Sequence, residues 1–131
     1  MPSHVSKRLP ILVVEDNKET QLLLKHLLAE QFSVEVASDG AAAVQCAHEH
    51  DYRLILMDIN LGGAEDGIAI HRKIRRIRNY HTIPIVAVTA YALPGDRERF
   101  VQAGFDAYLS KPFTRRELLT TIAELLPPDQ Q

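Results

Sequence analysis

With one cysteine and no tryptophan in 131 residues, the chain excludes several classes of protein by what it lacks. Cys46 alone cannot form an intrachain disulfide or a cysteine-based metal cluster, which fits a reducing compartment. Charge of one sign is also missing. The formal net charge is -2, so composition points neither to direct nucleic-acid binding nor to a membrane surface. No apolar stretch reaches the ~18 residues of a membrane span. Residues 1–8 lack the apolar centre of a signal peptide, so the expected location is cytoplasmic. Internal repeats, linkers and low-complexity segments are absent from the sequence. The length suits one domain with a real core, expected over about 9–126 between short polar tails.

What is present is a rhythm. Short Val/Ile/Leu-rich runs alternate with longer amphipathic stretches, the pattern of βα units feeding a parallel sheet. Strands are expected at about 10–14, 33–37, 53–58, 83–88 and 106–109, with the first, third and fourth buried on both faces. Leu22, Leu23, Leu24, Leu27 and Leu28 recur at helical spacing. So do Ala43, Val44 and Ala47, then Ile70, Ile74 and Ile77, then Leu118, Leu119, Ile122 and Leu125. These are the expected covering helices. Pro10 and Pro84 sit at strand starts, where a missing donor is tolerated. Gly104 is a helix stop and Pro127-Pro128 ends the last helix.

Four of the apolar runs end in chemically pointed groups. Val14 meets Glu15-Asp16, Met57 meets Asp58, Val88 meets Thr89, and Ser110 meets Lys111-Pro112. In an open parallel sheet ligands bind outside the carboxyl ends of the strands, so these distant residues are expected to share one crevice. Three carboxylates cannot all stay ionised side by side without compensation. A divalent cation resolves the repulsion, and Mg²⁺, with Mn²⁺ as a substitute, matches an all-oxygen donor set. Asp16 and Asp58 suit direct ligation, with Glu15 acting through water. Lys111 brings a mobile positive charge and Thr89 a hydroxyl donor, both suited to phosphoryl oxygens. The constellation points to phosphoryl transfer onto Asp58. A cis Lys111-Pro112 bond would aim the lysine into the crevice.

The segments Ile11-Leu12-Val13-Val14-Glu15-Asp16-Asn17, Leu56-Met57-Asp58-Ile59-Asn60, Ala87-Val88-Thr89-Ala90 and Ala103-Gly104-Phe105-Asp106-Ala107-Tyr108-Leu109-Ser110-Lys111-Pro112-Phe113 together resemble the receiver domains of two-component response regulators. The resemblance runs from Leu9 to Leu126. It implies an α/β, flavodoxin-like three-layer sandwich with five parallel strands in the order 2-1-3-4-5 and five helices. It also implies a Mg²⁺-dependent phosphoacceptor switch rather than an enzyme acting on a separate substrate. The phosphodonor would be a histidine kinase or a histidine phosphotransfer protein, and the downstream partner is a protein not named by the sequence. By position, the resemblance assigns Asp58 as phosphoacceptor, Glu15 and Asp16 as metal acids, and Asn60 as the backbone carbonyl ligand. Thr89 and Tyr108 become the switch pair, Tyr108 rotating from exposed to buried as Thr89 moves toward the phosphoryl group. The partner surface, and the face of a weak homodimer if the chain is not a monomer, would be the fourth helix, fifth strand and fifth helix. The run from Thr89 to Arg99 resembles hybrid-kinase and phosphorelay receivers more than receivers of transcription factors, and with no output segment seen after Leu126 the expectation is a stand-alone receiver or one cut from a hybrid kinase.

The chain departs from the family between Asp58 and Asp66-Gly67. The loop is one residue longer, lacks the usual proline and carries Gly62-Gly63, so its ordering should depend more on metal or phosphate. Tyr91 and Asn60 occupy positions that tune water access in this family, and a bulky Tyr91 should slow hydrolysis.

Other features carry plainer expectations. Arg72, Lys73, Arg75, Arg76 and Arg78 read as a solvated helix face. Asp96, Arg97, Glu98 and Arg99, with Arg115, Arg116 and Glu117, read as solvated charge, with inter-subunit pairing as the sharper option. His48 and His50, two apart, do not share a helical face. Cys46 reads as a small buried hydrophobe. Two other functions fit the strand-end chemistry less well. One is an interaction module of receiver fold that ignores phosphorylation. The other is a phosphatase with an aspartyl-phosphate intermediate, for which a second acid two residues after the nucleophile is usual; position 60 is Asn.

Overall fold

Every expected strand forms and each is followed by a helix. The structure is a computed structural model that describes residues 9–60, 66–90 and 94–126. Strands β1 (Ile11–Val14), β2 (Val34–Ala37), β3 (Leu54–Asp58), β4 (Ile85–Thr89) and β5 (Ala107–Ser110) alternate with helices α1 (Lys18–Leu28), α2 (Gly40–Glu49), α3 (Gly67–Arg75), α4 (Asp96–Ala103) and α5 (Arg115–Leu125). The sheet runs β2-β1-β3-β4-β5 with every neighbouring pair parallel. This is the flavodoxin-like α/β architecture with the expected strand order.

The sheet separates two apolar layers by the two-residue alternation of its strands. Leu12, Val14, Ile55, Met57, Ile85 and Ala87 pack with residues of α2, α3 and α4. Ile11, Val13, Leu54, Leu56, Val86 and Val88 pack with residues of α1 and α5. β1, β3 and β4 are buried along their whole length, as expected for central strands covered on both sides. β2, at the edge, alternates in burial.

Helix starts follow local chemistry. Asn17, Asp39 and Asp66 each accept a hydrogen bond from the backbone amide three residues on. Thr114 and Glu117 close a reciprocal capping box on α5. Such caps typically contribute about 1 kcal/mol each. α4 is different: it follows Gly95 in a left-handed conformation and has no side-chain cap. Gly104 stops it at φ 105°, the conformation in which glycine has no Cβ penalty.

Several sequence expectations need correction. On α1, Leu24 and Leu28 form the buried stripe, whereas Leu22 and Leu23 are 67% and 49% exposed. Consecutive leucines spread around a helix by 100° steps, so one packing face cannot take them all. Cys46 is only partly buried. Arg75 leaves the solvated face assigned to its run: its guanidinium donates to the carbonyls of Tyr80, Ile83 and Gly104 and to Asp106 at 2.8 Å. Within the charged segments, Arg99 lies 3.7 Å from Asp96 and Arg115 lies 2.7 Å from Glu30, both inside the chain. Pro127-Pro128 lies outside the described residues.

Candidate functional site

The parallel register lines up the carboxyl ends of β1, β3, β4 and β5 at one edge of the sheet. Val14 pairs with Met57, Asp58 with Val88, and Thr89 with Ser110. Glu15, Asp16, Asp58, Thr89 and Lys111 are therefore brought to the same end, as expected. Carboxylate oxygens of Glu15, Asp16 and Asp58 all lie within 4.8 Å of one another. Glu15 and Asp58 are buried, while Asp16 is open to solvent.

Lys111 binds this acidic group from the β5 side. Its Nζ donates to Glu15 Oε1 at 2.9 Å and to Asp58 Oδ2 at 3.4 Å. The lysine backbone is held as well, its N–H donating to the Thr89 carbonyl at 2.8 Å. The Lys111-Pro112 peptide bond is cis. Burial pulls the Lys111 ammonium down, but the Glu15 hydrogen bond and the Asp58 and Glu15 charges outweigh it and leave its pKa above the ordinary lysine value. Glu15 is shifted upward, chiefly by burial and further by the Asp58 charge, against the lowering effect of Lys111 and of the Asn17 amide. Three close carboxylates with one ammonium are under-compensated by charge, which is the condition that favours a cation. Hard oxygen donors of this kind fit Mg²⁺ better than a softer metal.

The backbone around Asp58 is pinned by neighbours. Asn60 N–H donates to Asp58 Oδ1 at 2.9 Å. Gly67 N–H donates to the Ile59 carbonyl at 2.9 Å and ties the start of α3 to the segment that follows Asp58. A Cβ on Gly67 would lie 2.6 Å from the Asp58 carbonyl oxygen and 2.7 Å from Ile59 Cα. Only glycine allows that approach. On the β1 side, Gln21 Nε2 donates to the Glu15 carbonyl at 2.6 Å, so the first turns of α1 fix the acidic residue. Neither Gly67 nor Gln21 announces this role by residue type. The cap Asp66 directly before Gly67 was the available signal for the former.

Thr89 is completely buried at the end of β4. Tyr108 lies outside the crevice, partly buried, with its ring stacked on Phe100 at 5.4 Å. The two share a face of the sheet: Ala87, two residues before Thr89, pairs with Tyr108. Residues 61–65 and Tyr91, which carry the departures from the family pattern, lie outside the described residues.

Comparison with known proteins places the fold and the sequence in one family. The chain is 41% identical over 121 residues to the Dictyostelium discoideum hybrid signal transduction histidine kinase I, covering 86% of the chain and 7% of that protein. It is 35% identical over 117 residues to the polar-differentiation response regulator DivK of Brucella ovis, covering 88% and 94%. Among solved structures, the receiver domain of a Pseudomonas aeruginosa sensor histidine kinase superposes with a TM-score of 0.81 at 41% identity, covering 89% and 96%. That structure holds a magnesium ion in its active site cleft. The Vibrio cholerae chemotaxis protein CheY4 superposes with a TM-score of 0.84 at 26% identity, covering 90% and 98%. Residues 11–123 match the family model described as the response regulator receiver domain. With the matched region running from the first strand into the last helix, the chain belongs to the response regulator receiver domain family.

Proposed function

We propose that this chain is the phosphoacceptor switch of a two-component or phosphorelay pathway, with Asp58 as the acceptor. The observation that carries the reading is the Lys111 ammonium set between Glu15 and Asp58 inside a cluster of three carboxylates. In the transfer, the phosphorus–nitrogen bond of a phosphohistidine breaks, its electron pair returns to the imidazole, and a phosphorus–oxygen bond forms on the Asp58 carboxylate. Lys111 then exchanges its Asp58 contact for a phosphoryl oxygen, and the Thr89 hydroxyl donates to another. Glu15, Asp16, Asp58 and the Asn60 carbonyl would hold Mg²⁺. When bound, that ion neutralises charge on the phosphoryl oxygens. Mn²⁺ offers the same coordination. The protein's own chemistry is limited to accepting and hydrolytically losing this one group.

The donor, a histidine kinase or a histidine phosphotransfer protein, must reach Asp58 from the crevice side. α1 starts three residues after Glu15 and presents exposed Leu22 and Leu23, an apolar surface suited to a partner helix. The response is a population shift. Movement of Thr89 toward phosphate vacates volume on the face it shares with Tyr108, and the α4–β5–α5 surface repacks toward its partner or a second copy. No described helix is long and apolar enough to cross a membrane, and a cytoplasmic location suits this chemistry.

Incubation with acetyl phosphate and Mg²⁺ tests the reading by intact mass. Wild type should gain one phosphoryl group and Asp58→Asn none. A wild-type mass that stays unchanged overturns it.

A further inference from the structure

A buried polar side chain on α3 takes no part in the crevice. His71 is 2% exposed, and among the described residues neither ring nitrogen makes a hydrogen bond of ordinary geometry, the Gly104 carbonyl being the backbone acceptor that faces it. Its ring lies on Phe105, with centroids 4.3 Å apart and planes tilted by 32°. Phe105 meets Phe100 edge-on at 6.2 Å, and Phe100 stacks on Tyr108 at 5.4 Å. Four aromatic rings thus run in contact from the middle of α3, across the end of α4, to β5. The fit is tight at the histidine end, where a Cβ on Gly104 would come within 3.0 Å of His71 Cε1.

This position tolerates a neutral imidazole far better than a cation. Adding a proton turns both nitrogens into donors and places a charge beside acceptors that Arg75 already occupies, the Gly104 carbonyl and Asp106. The charged groups facing the ring are Arg75 and Arg72 from its own helix and Asp106 from the turn before β5. The arginines oppose a second positive charge. Asp106 favours one, but its Oδ2 already accepts from Arg75 at 2.8 Å and from the Ile85 amide at 2.8 Å. From α4 comes Phe100, whose centroid lies 5.0 Å from the Arg99 guanidinium, itself 3.7 Å from Asp96. α2, which packs along α3, brings Gly40 against Ile70. Burial is the largest influence on His71 and holds its pKa below the ordinary histidine value, with Arg75 and Arg72 adding to the effect and the Gly104 carbonyl and Asp106 opposing it.

A protonated His71 gains water most cheaply if the turn carrying Gly104 and Phe105 withdraws. That turn ends α4, which is eight residues long, lacks a side-chain cap and has one buried anchor, Phe100. We propose that the column His71–Phe105–Phe100–Tyr108 is a proton-operated latch, closed when His71 is neutral, and that protonation of His71 loosens α4 and releases Tyr108 from its stack. Its consequence for signalling rests on the switch role of Tyr108 given above. The latch itself operates in the unphosphorylated chain.

Because the folded chain favours neutral His71, the closed latch is fully stable above the unfolded histidine pKa of ~6.5 and loses stability as pH falls below it. An NMR titration from pH 8 to pH 5, with no phosphodonor present, tests the idea. The His71 ring resonance should shift with a midpoint below that of a free histidine. Ring and amide resonances of Phe100, Phe105 and Tyr108 should move with the same midpoint. In His71→Phe, which keeps an aromatic ring in the column, these co-titrations should vanish while phosphorylation of Asp58 at pH 8 is unchanged. His71 titrating like a solvent-exposed histidine, or Tyr108 showing no transition at the His71 midpoint, overturns the proposal. So does a Tyr108 transition that persists in His71→Phe. The wild-type titration alone suffices if the variant does not fold, and failure of Asp58 to accept phosphate leaves its outcome untouched.

Discussion

Substituting Gly67 by alanine tests how closely the phosphoacceptor segment is held by α3. The added Cβ would stand 2.6 Å from the Asp58 carbonyl oxygen and 2.7 Å from Ile59 Cα, about 0.8 Å inside an ordinary contact of 3.4 Å. Both obstacles are backbone atoms, so no side chain can swing aside. Either α3 or the Asp58–Ile59 segment must move. Moving apart stretches the 2.9 Å bond from the Gly67 amide to the Ile59 carbonyl. Overpacking of this kind costs roughly 1–3 kcal/mol. Alanine recovers at most about 1 kcal/mol through helix propensity, and less at the first position of a helix. The net expectation is a loss of about 1–2 kcal/mol, or a Tm lower by roughly 4–8 °C for a domain of this size. Displacement of Asp58 should also disturb the 2.9 Å contact of its Oδ1 with the Asn60 amide. Thermal unfolding by circular dichroism and acetyl phosphate labelling should therefore fall together. A Gly67→Ala protein with unchanged Tm and wild-type labelling rate would refute the close-approach argument.

Three further outcomes follow from the same geometry. Lys111→Ala removes the ammonium from both Glu15 and Asp58, and labelling of Asp58 should slow by about 100-fold, the usual scale for losing one charge-stabilising donor; an unchanged rate in a mass-spectrometric time course would remove Lys111 from the mechanism. Burial pushes the Tyr80 hydroxyl up to about 12 from its ordinary 10, so stability present below pH 10 should decline as pH rises toward 12, where the unfolded chain ionises first; absorbance titration at 295 nm should show delayed tyrosinate formation in wild type, and the same curve in Tyr80→Phe would contradict the assignment. Thr114→Ala breaks the capping box of α5 and should cost about 1 kcal/mol in urea denaturation with little change in labelling.

The sheet and its crevice were readable because both depend on short-range signals. Val14, Met57, Val88 and Ser110 end apolar runs, and parallel register turns such ends into neighbours. What escaped depends on the direction in which a helix presents a side chain. Leu22 and Leu23 share a leucine run with Leu24 and Leu28 but point to solvent. Arg75 sits among exposed arginines yet joins α3 to the turn before β5 through Gly104 and Asp106. His71 has no partner spacing in the sequence, and its neighbour Phe105 lies in another βα unit. Gly67 needs its hydrogen only because α3 begins against the Asp58 backbone. These are tertiary facts, created when elements far apart in the chain pack together.

The central claim is that Asp58, and no other acid in the crevice, takes the phosphoryl group. After acetyl phosphate treatment with Mg²⁺, reduction of the acyl phosphate by borohydride and peptide mapping by mass spectrometry locate the modified residue. The account predicts modification at Asp58 alone; modification at Glu15 or Asp16, or labelling that survives in Asp58→Asn, would contradict it.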